Sequence, residues 1–175
     1  CKSRKLLKFR YTVILLILSL TFILSYLTPN YLQEATLEVS DISLVYYLWA
    51  WIFAIQIIVF IPSFIFRTEH YYDLTGGITY ISTVVIASIL KNSYQGIDLI
   101  SILLGSMVII WATRLSSFLF LRVKKSGEDV RFKKIKHSFS WFLMTFMLQG
   151  MWVFMCIFPA PVSYTHLTLP TKVTV

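Results

Sequence analysis

The sequence predicts an all-α membrane protein, a multispan transmembrane helical bundle with about five spans. Its apolar content, the length of its apolar runs and the placement of its charge carry that prediction. Of 175 residues, 57% are hydrophobic and only 14% are charged, and the mean hydropathy is +0.74. A soluble domain of this length has too little interior to hide so much apolar surface. The net charge of +8 is gathered in two blocks beside apolar runs, residues 2–10 and 122–136. Charge placed that way suits anionic lipid headgroups and membrane orientation. The expected partner is therefore the lipid bilayer. Nucleic acid is not expected, because no reading motif accompanies the basic residues.

A helix needs about 20 apolar residues to cross the hydrocarbon core. The first predicted span is 11–27, stopped by Thr28-Pro29. No small-residue cleavage site follows it, and further spans do, so it is not read as a signal peptide. The second span is 43–66, with Pro62 near its end, and the third is 71–90, cleanly apolar only from Gly77. The fourth is 97–121 and the fifth 138–160. The segment before the first span carries Lys2, Arg4, Lys5, Lys8 and Arg10, and the loop after the fourth carries Arg122, Lys124, Lys125, Arg131, Lys133, Lys134 and Lys136. The loop after the first span carries only acids, Glu34, Glu38 and Asp41. Positive charge stays inside, so the N-terminus is expected in the cytoplasm. The membrane is a bacterial inner membrane or an endoplasmic reticulum. Cys1 and Cys156 make no disulfide framework, and no His/Cys/Asp spacing suggests a metal site.

Between the second and third spans runs FRTEHYYDLTGGITY, residues 66–80. A helix that begins early there puts Glu69, Asp73, Gly76 and Tyr80 on one face, with Gly76 leaving a notch for a ligand or a neighbouring helix. A helix that begins late makes Thr75 its N-cap and Gly76-Gly77 an entry turn. Either way two carboxylates lie at the boundary of a span, as a polar site or as hydrated acids in an aromatic belt. The fourth span holds Arg114, about 12 Å along the axis from Arg122. Trp111, Arg114, Phe118 and Arg122 share a helical face. A buried arginine costs at least about 2.5–3.5 kcal/mol, so Arg114 is expected to face the bundle and to lie near Glu69 and Asp73. Residues 122–132 make a basic loop suited to an anion, because arginine forks fit phosphate oxygens. Lys133, Lys134 and Lys136 are read as positive-inside charge without a ligand. Gln56 and Gln149 are read as interhelical hydrogen-bonding residues.

The order FIPSFIFRTEHYYDLTGGITYI, WATRLSSFLFLRVKKSGEDVRF and LQGMWVF resembles the steroid 5-alpha-reductase-like membrane family, in the branch whose domain has no assigned function. The resemblance runs from about Gln56 to Pro161. It implies a membrane bundle that binds NADPH from the cytoplasmic side. The implied reaction reduces a carbon–carbon double bond conjugated to a carbonyl in a lipophilic, lipid- or steroid-like substrate. The acid block maps onto Glu69 and Asp73, with Tyr80 beside them, as the groups serving the carbonyl. The basic block maps onto Arg114, Arg122, Asp129 and Arg131 as the cofactor-binding groups. Residues 1–161 are then one reductase-like domain lacking its C-terminal part, and 162–175 read as a non-native tail. Cys1 in place of a methionine reads as a second cut end, and such a fragment is expected to be inactive. Two other classes fit the same residues: an S-adenosylmethionine-dependent membrane methyltransferase of the same superfamily, and a non-enzymatic membrane scaffold or transporter subunit.

Overall fold

The computed structural model describes residues 2–31, 38–39, 42–94, 96, 99–126 and 132–159. In chain order these form α1 (Lys2–Tyr31), β1 (Glu38–Val39), β2 (Ile42–Ser43), α2 (Leu44–Ile65), α3 (Tyr72–Tyr94), α4 (Leu99–Ser126), a single 3-10 turn (Ile135–His137) and α5 (Phe139–Ile157). Five of the helices are long and apolar enough to cross a membrane. The protein is thus an integral membrane protein built as an all-α bundle, with one small antiparallel β pairing, Glu38 to Ser43 and Val39 to Ile42, that the sequence reading did not contain.

The helices begin and end for local reasons. The Ser43 side chain caps α2 by accepting from the Val45 amide, an N-cap bond that satisfies one of the free donors of the first turn. Past Pro62 the helix closes at Ile65, and Arg67 takes a left-handed φ of 49° to turn the chain toward α3. Thr28-Pro29 does not stop α1, which continues through the proline to Tyr31. The proline forfeits one amide bond there, the one to the i−4 carbonyl, and the helix runs only two residues further. Hydroxyls inside the spans bond back to their own helices, as Thr21 does to the Ile17 carbonyl (2.8 Å) and Thr83 to the Thr79 carbonyl (2.6 Å). Such back-bonding satisfies these hydroxyls within their own helices.

Contacts fix which ends lie together. Arg10 of α1 donates to Ser138 (2.9 Å) and stands over the Trp141 ring (4.6 Å), so the start of α1 meets the start of α5. Tyr71 stacks on Phe120 (6.4 Å), joining the start of α3 to the end of α4. The basic residues of both blocks therefore collect at one end of the bundle. At the other end Lys91 is buried and donates to Ser101 (2.6 Å).

Three packing units make the interior among the described residues, the smallest of them Leu44, Leu48 and Ala87. At the basic end Phe60 and Phe142 each meet Phe146 edge to face, and Ile14, Ile17 and Phe132 join the same cluster. The second unit joins Val45, Ile52, Tyr80, Ala112, Val153 and Phe154 across α2 to α5. Between apolar helices in lipid the attraction comes from close fit rather than from expelled water, and small residues permit that fit. α4 accordingly buries Ser101, Gly105, Ala112, Ser116 and Val123, positions that recur at helical spacing. α3 packs extensively against α4 and also against α2 and α5, whereas α4 and α5 meet only sparsely among the described residues.

Candidate functional site

That sparse contact leaves a cavity of about 180 Å³ between α3, α4 and α5. Asp73, Gly76, Gly77 and Tyr80 line it from α3, Trp111, Leu115 and Ser116 from α4, and Gln149 and Trp152 from α5. α3 begins at Tyr72, so the early helix start holds and Thr75 is not a cap: its hydroxyl donates to the Tyr71 carbonyl (2.6 Å). Asp73, Gly76 and Tyr80 consequently share a helical face, as the spacing predicts.

The glycines are notches for neighbouring helices. A methyl group on Gly76 would stand 2.7 Å from Gln149 Nε2, and one on Gly77 would collide with the Ser116 side chain. The first notch lets Gln149 reach the start of α3 and donate to the Tyr72 carbonyl (3.1 Å). Gln56 likewise donates to Thr79 Oγ1 (3.2 Å), so both glutamines bond between helices as expected. Three buried polar atoms keep no hydrogen-bond partner among the described residues: Tyr80 Oη, Gln149 Oε1 and Gln56 Oε1. The first two belong to the cavity wall. Tyr80 is further held by an edge-to-face contact with Trp111 (5.3 Å).

Glu69 precedes α3 and is not on the cavity wall. Its carboxylate is buried and accepts from Lys136 Nζ at 2.9 Å and 3.2 Å. This corrects the reading of Lys136 as solvated positive-inside charge: the 3-10 turn carries it to a buried carboxylate. Lys133 and Lys134 are exposed.

Arg114 also departs from expectation. It is exposed and does not face the bundle, and among the described residues no ion pair joins it to Asp73 or Glu69. Trp111, Arg114, Phe118 and Arg122 do share one face, but that face points outward. The reason lies on the opposite side of α4, whose small residues form the contact with α3 and turn the bulky residues away. Arg114 lines an open cleft of about 480 Å³ with Trp111, Leu115 and Phe118. Trp111 and Leu115 belong to this cleft and to the 180 Å³ cavity alike. Asp129 and Arg131, and the tail 162–175, lie outside the described residues.

Sequence reasoning missed Lys136, whose partner is 67 positions away, and read Gln149 as an interhelical hydrogen-bonding residue without placing it on the cavity wall.

The family described as Protein of unknown function (DUF1295) matches residues 59–172, a range that contains α3, α4, α5 and the whole cavity wall. No curated protein and no solved structure matches the chain.

Proposed function

The chain belongs to the DUF1295 family, and from that premise we propose that it forms the helical body of a membrane-embedded oxidoreductase. The proposed reaction is NADPH-dependent reduction of a carbon–carbon double bond conjugated to a carbonyl in a lipid- or steroid-like molecule. The steroid 5-alpha-reductase-like motifs of the sequence supply the reaction class. The observation that carries the reading is the shared wall: the cavity holding Asp73 and Tyr80 and the cleft holding Arg114 meet at Trp111 and Leu115.

The α4 face fits the chemistry of the cofactor. NADPH brings phosphate groups that call for guanidinium forks and planar rings that call for aromatic faces. Arg114 and Arg122 offer the first, and the exposed Trp111 and Phe118 on the same face offer the second. When bound, NADPH supplies the hydride. The protein's own groups hold the substrate: the buried Tyr80 hydroxyl donates to the carbonyl oxygen and polarises the enone, while Asp73 orders the rim of the cavity. Glu69, tied to Lys136, positions the start of α3 and thereby Asp73. Apolar surroundings strengthen the Tyr80 hydrogen bond and exclude competing water. The basic end of the bundle is assigned to the cytoplasm, where the cofactor is available.

Enone-dependent NADPH oxidation by the purified full-length form of the protein in liposomes tests the reading. Tyr80→Phe is expected to lower kcat by about 10²-fold or more, as loss of a positioned acid does. Arg114→Ala and Arg122→Ala are expected to weaken NADPH binding and leave folding intact, since both residues are exposed. Equal NADPH binding by the parent and both arginine variants removes the cofactor assignment. Binding of S-adenosylmethionine instead assigns the methyltransferase class.

A further inference from the structure

Gln149 is held from one side only. Its amide nitrogen donates to the Tyr72 carbonyl (3.1 Å), which fixes the plane of the amide. Its amide oxygen is buried and has no partner among the described residues. The site makes room for this arrangement, because a side chain on Gly76 would meet the amide at 2.7 Å. Tyr80 Oη is the second such atom, and both residues line the 180 Å³ cavity. Cys156, which lines a smaller cavity of about 120 Å³ together with Tyr80 and interacts with its hydroxyl, offers only a weak sulfur acceptor. A buried acceptor left unmade is costly, and a polar ligand that supplies a donor removes the cost. The space is ring-sized, since a cavity of about 150 Å³ accepts one benzene.

We infer that Gln149 is a substrate-contacting, specificity-determining residue: its amide oxygen accepts a hydrogen bond from a hydroxyl or N–H group of the molecule whose carbonyl Tyr80 engages. The substrate then carries a ring-sized polar head with a carbonyl and a hydrogen-bond donor, on an apolar remainder that stays in the bilayer. A hydroxylated cyclic enone has this chemistry, and a plain enone of the same size does not. Donor and acceptor are thus read by different helices, α3 for the carbonyl and α5 for the hydroxyl or N–H.

This inference rests on the enone reading, and its test is built to fail separately. Affinities of an alkyl-substituted cyclohexenone and of its ring-hydroxylated counterpart are measured by ligand-induced thermal shift of the purified protein, without cofactor. The parent is expected to prefer the hydroxylated probe by roughly three- to tenfold, the value of one neutral hydrogen bond. Gln149→Leu should erase that preference and spare the plain probe. Tyr80→Phe should weaken both probes alike and keep the preference. If Gln149→Leu does not fold, Gln149→Met, of similar length and flexible, serves in its place. Equal affinity of the parent for the two probes overturns the inference, as does a preference that survives loss of the amide. A buried water as the only partner of Gln149 gives the same equal affinities and overturns it too. NADPH turnover of both probes at one rate, with equal affinities, leaves the reductase reading standing while this one falls. Discrimination without turnover does the reverse.

Discussion

The Glu69–Lys136 pair joins a fully buried carboxylate side chain to an ammonium group that is 17% exposed. Taking one partner away leaves a charge in a poorly hydrated place, which costs roughly 3–5 kcal/mol. Lys136→Met is therefore expected to lower unfolding stability in detergent by about that amount, and Lys134→Met, at an exposed site, by no more than about 0.5 kcal/mol. Adding Glu69→Gln to Lys136→Met should restore most of the loss, because no charge then remains buried. Equal effects of the two lysine changes would mean that the pair is solvated. At this scale the sequence disclosed the residue types but not their partners. Asp73 and Tyr80 were legible because helical spacing alone puts them on one face. Lys136 was not, since nothing local distinguishes it from Lys133 or Lys134. The orphaned oxygen of Gln149 was not legible either, because it depends on which way α5 is rotated.

At the level of the helices, α4 is the instructive case. Its aromatic and basic residues suggested a face turned inward, yet its small residues are the ones that are buried. In lipid an apolar bulky face has nothing to gain from the interior, and close approach along small residues decides the rotation. The stripe of Ser101, Gly105, Ala112 and Ser116 was present in the sequence and was the better guide. A test follows at the α3–α4 contact, where Gly77 meets Ser116. Gly77→Ala is expected to destabilise by roughly 1–3 kcal/mol through overpacking, and Ser116→Gly in the same chain should recover it. Thermal unfolding of the single and double variants checks this. Arg114→Leu should not lower stability, because the guanidinium lies on the outward face. Span boundaries were read within a few residues wherever a cap or turn marked them, as Ser43 does for α2. They were missed where basic residues extend a helix beyond its apolar run, as α1 starts at Lys2 rather than Tyr11 and α4 ends at Ser126 rather than Leu121, and where α1 runs on past Pro29.

For the whole molecule, hydropathy and span length were enough to give the five-helix bundle, because a lipid-embedded backbone has few other ways to satisfy itself. The helix order around the bundle was not legible, since it depends on pairwise fit. The gathering of Arg10, Lys124 and Lys136 at one end favours that end in the cytoplasm. With Cys1 and Cys156 replaced by alanine, single cysteines at Lys124 and Ser93, both exposed, are expected to label from opposite sides of sealed vesicles. Lys124 should react from the cytoplasmic side. Labelling of both from one side would contradict the arrangement of α3 and α4.

Because α4 stands mainly on α3 and meets α5 only sparsely among the described residues, the mouth between α4 and α5 is framed by the exposed Trp111 and Trp152 within the spans. Such a doorway faces hydrocarbon, so the bilayer itself is the solvent from which a ligand arrives. The route shows in rates, since equilibrium occupancy is the same by either path. A strongly partitioning ligand preloaded into the protein's own liposomes is expected to occupy the cavity without lag, and the same ligand supplied in protein-free donor vesicles only after transfer. Equal rates from the two sources would mean that the cavity is fed from the aqueous side.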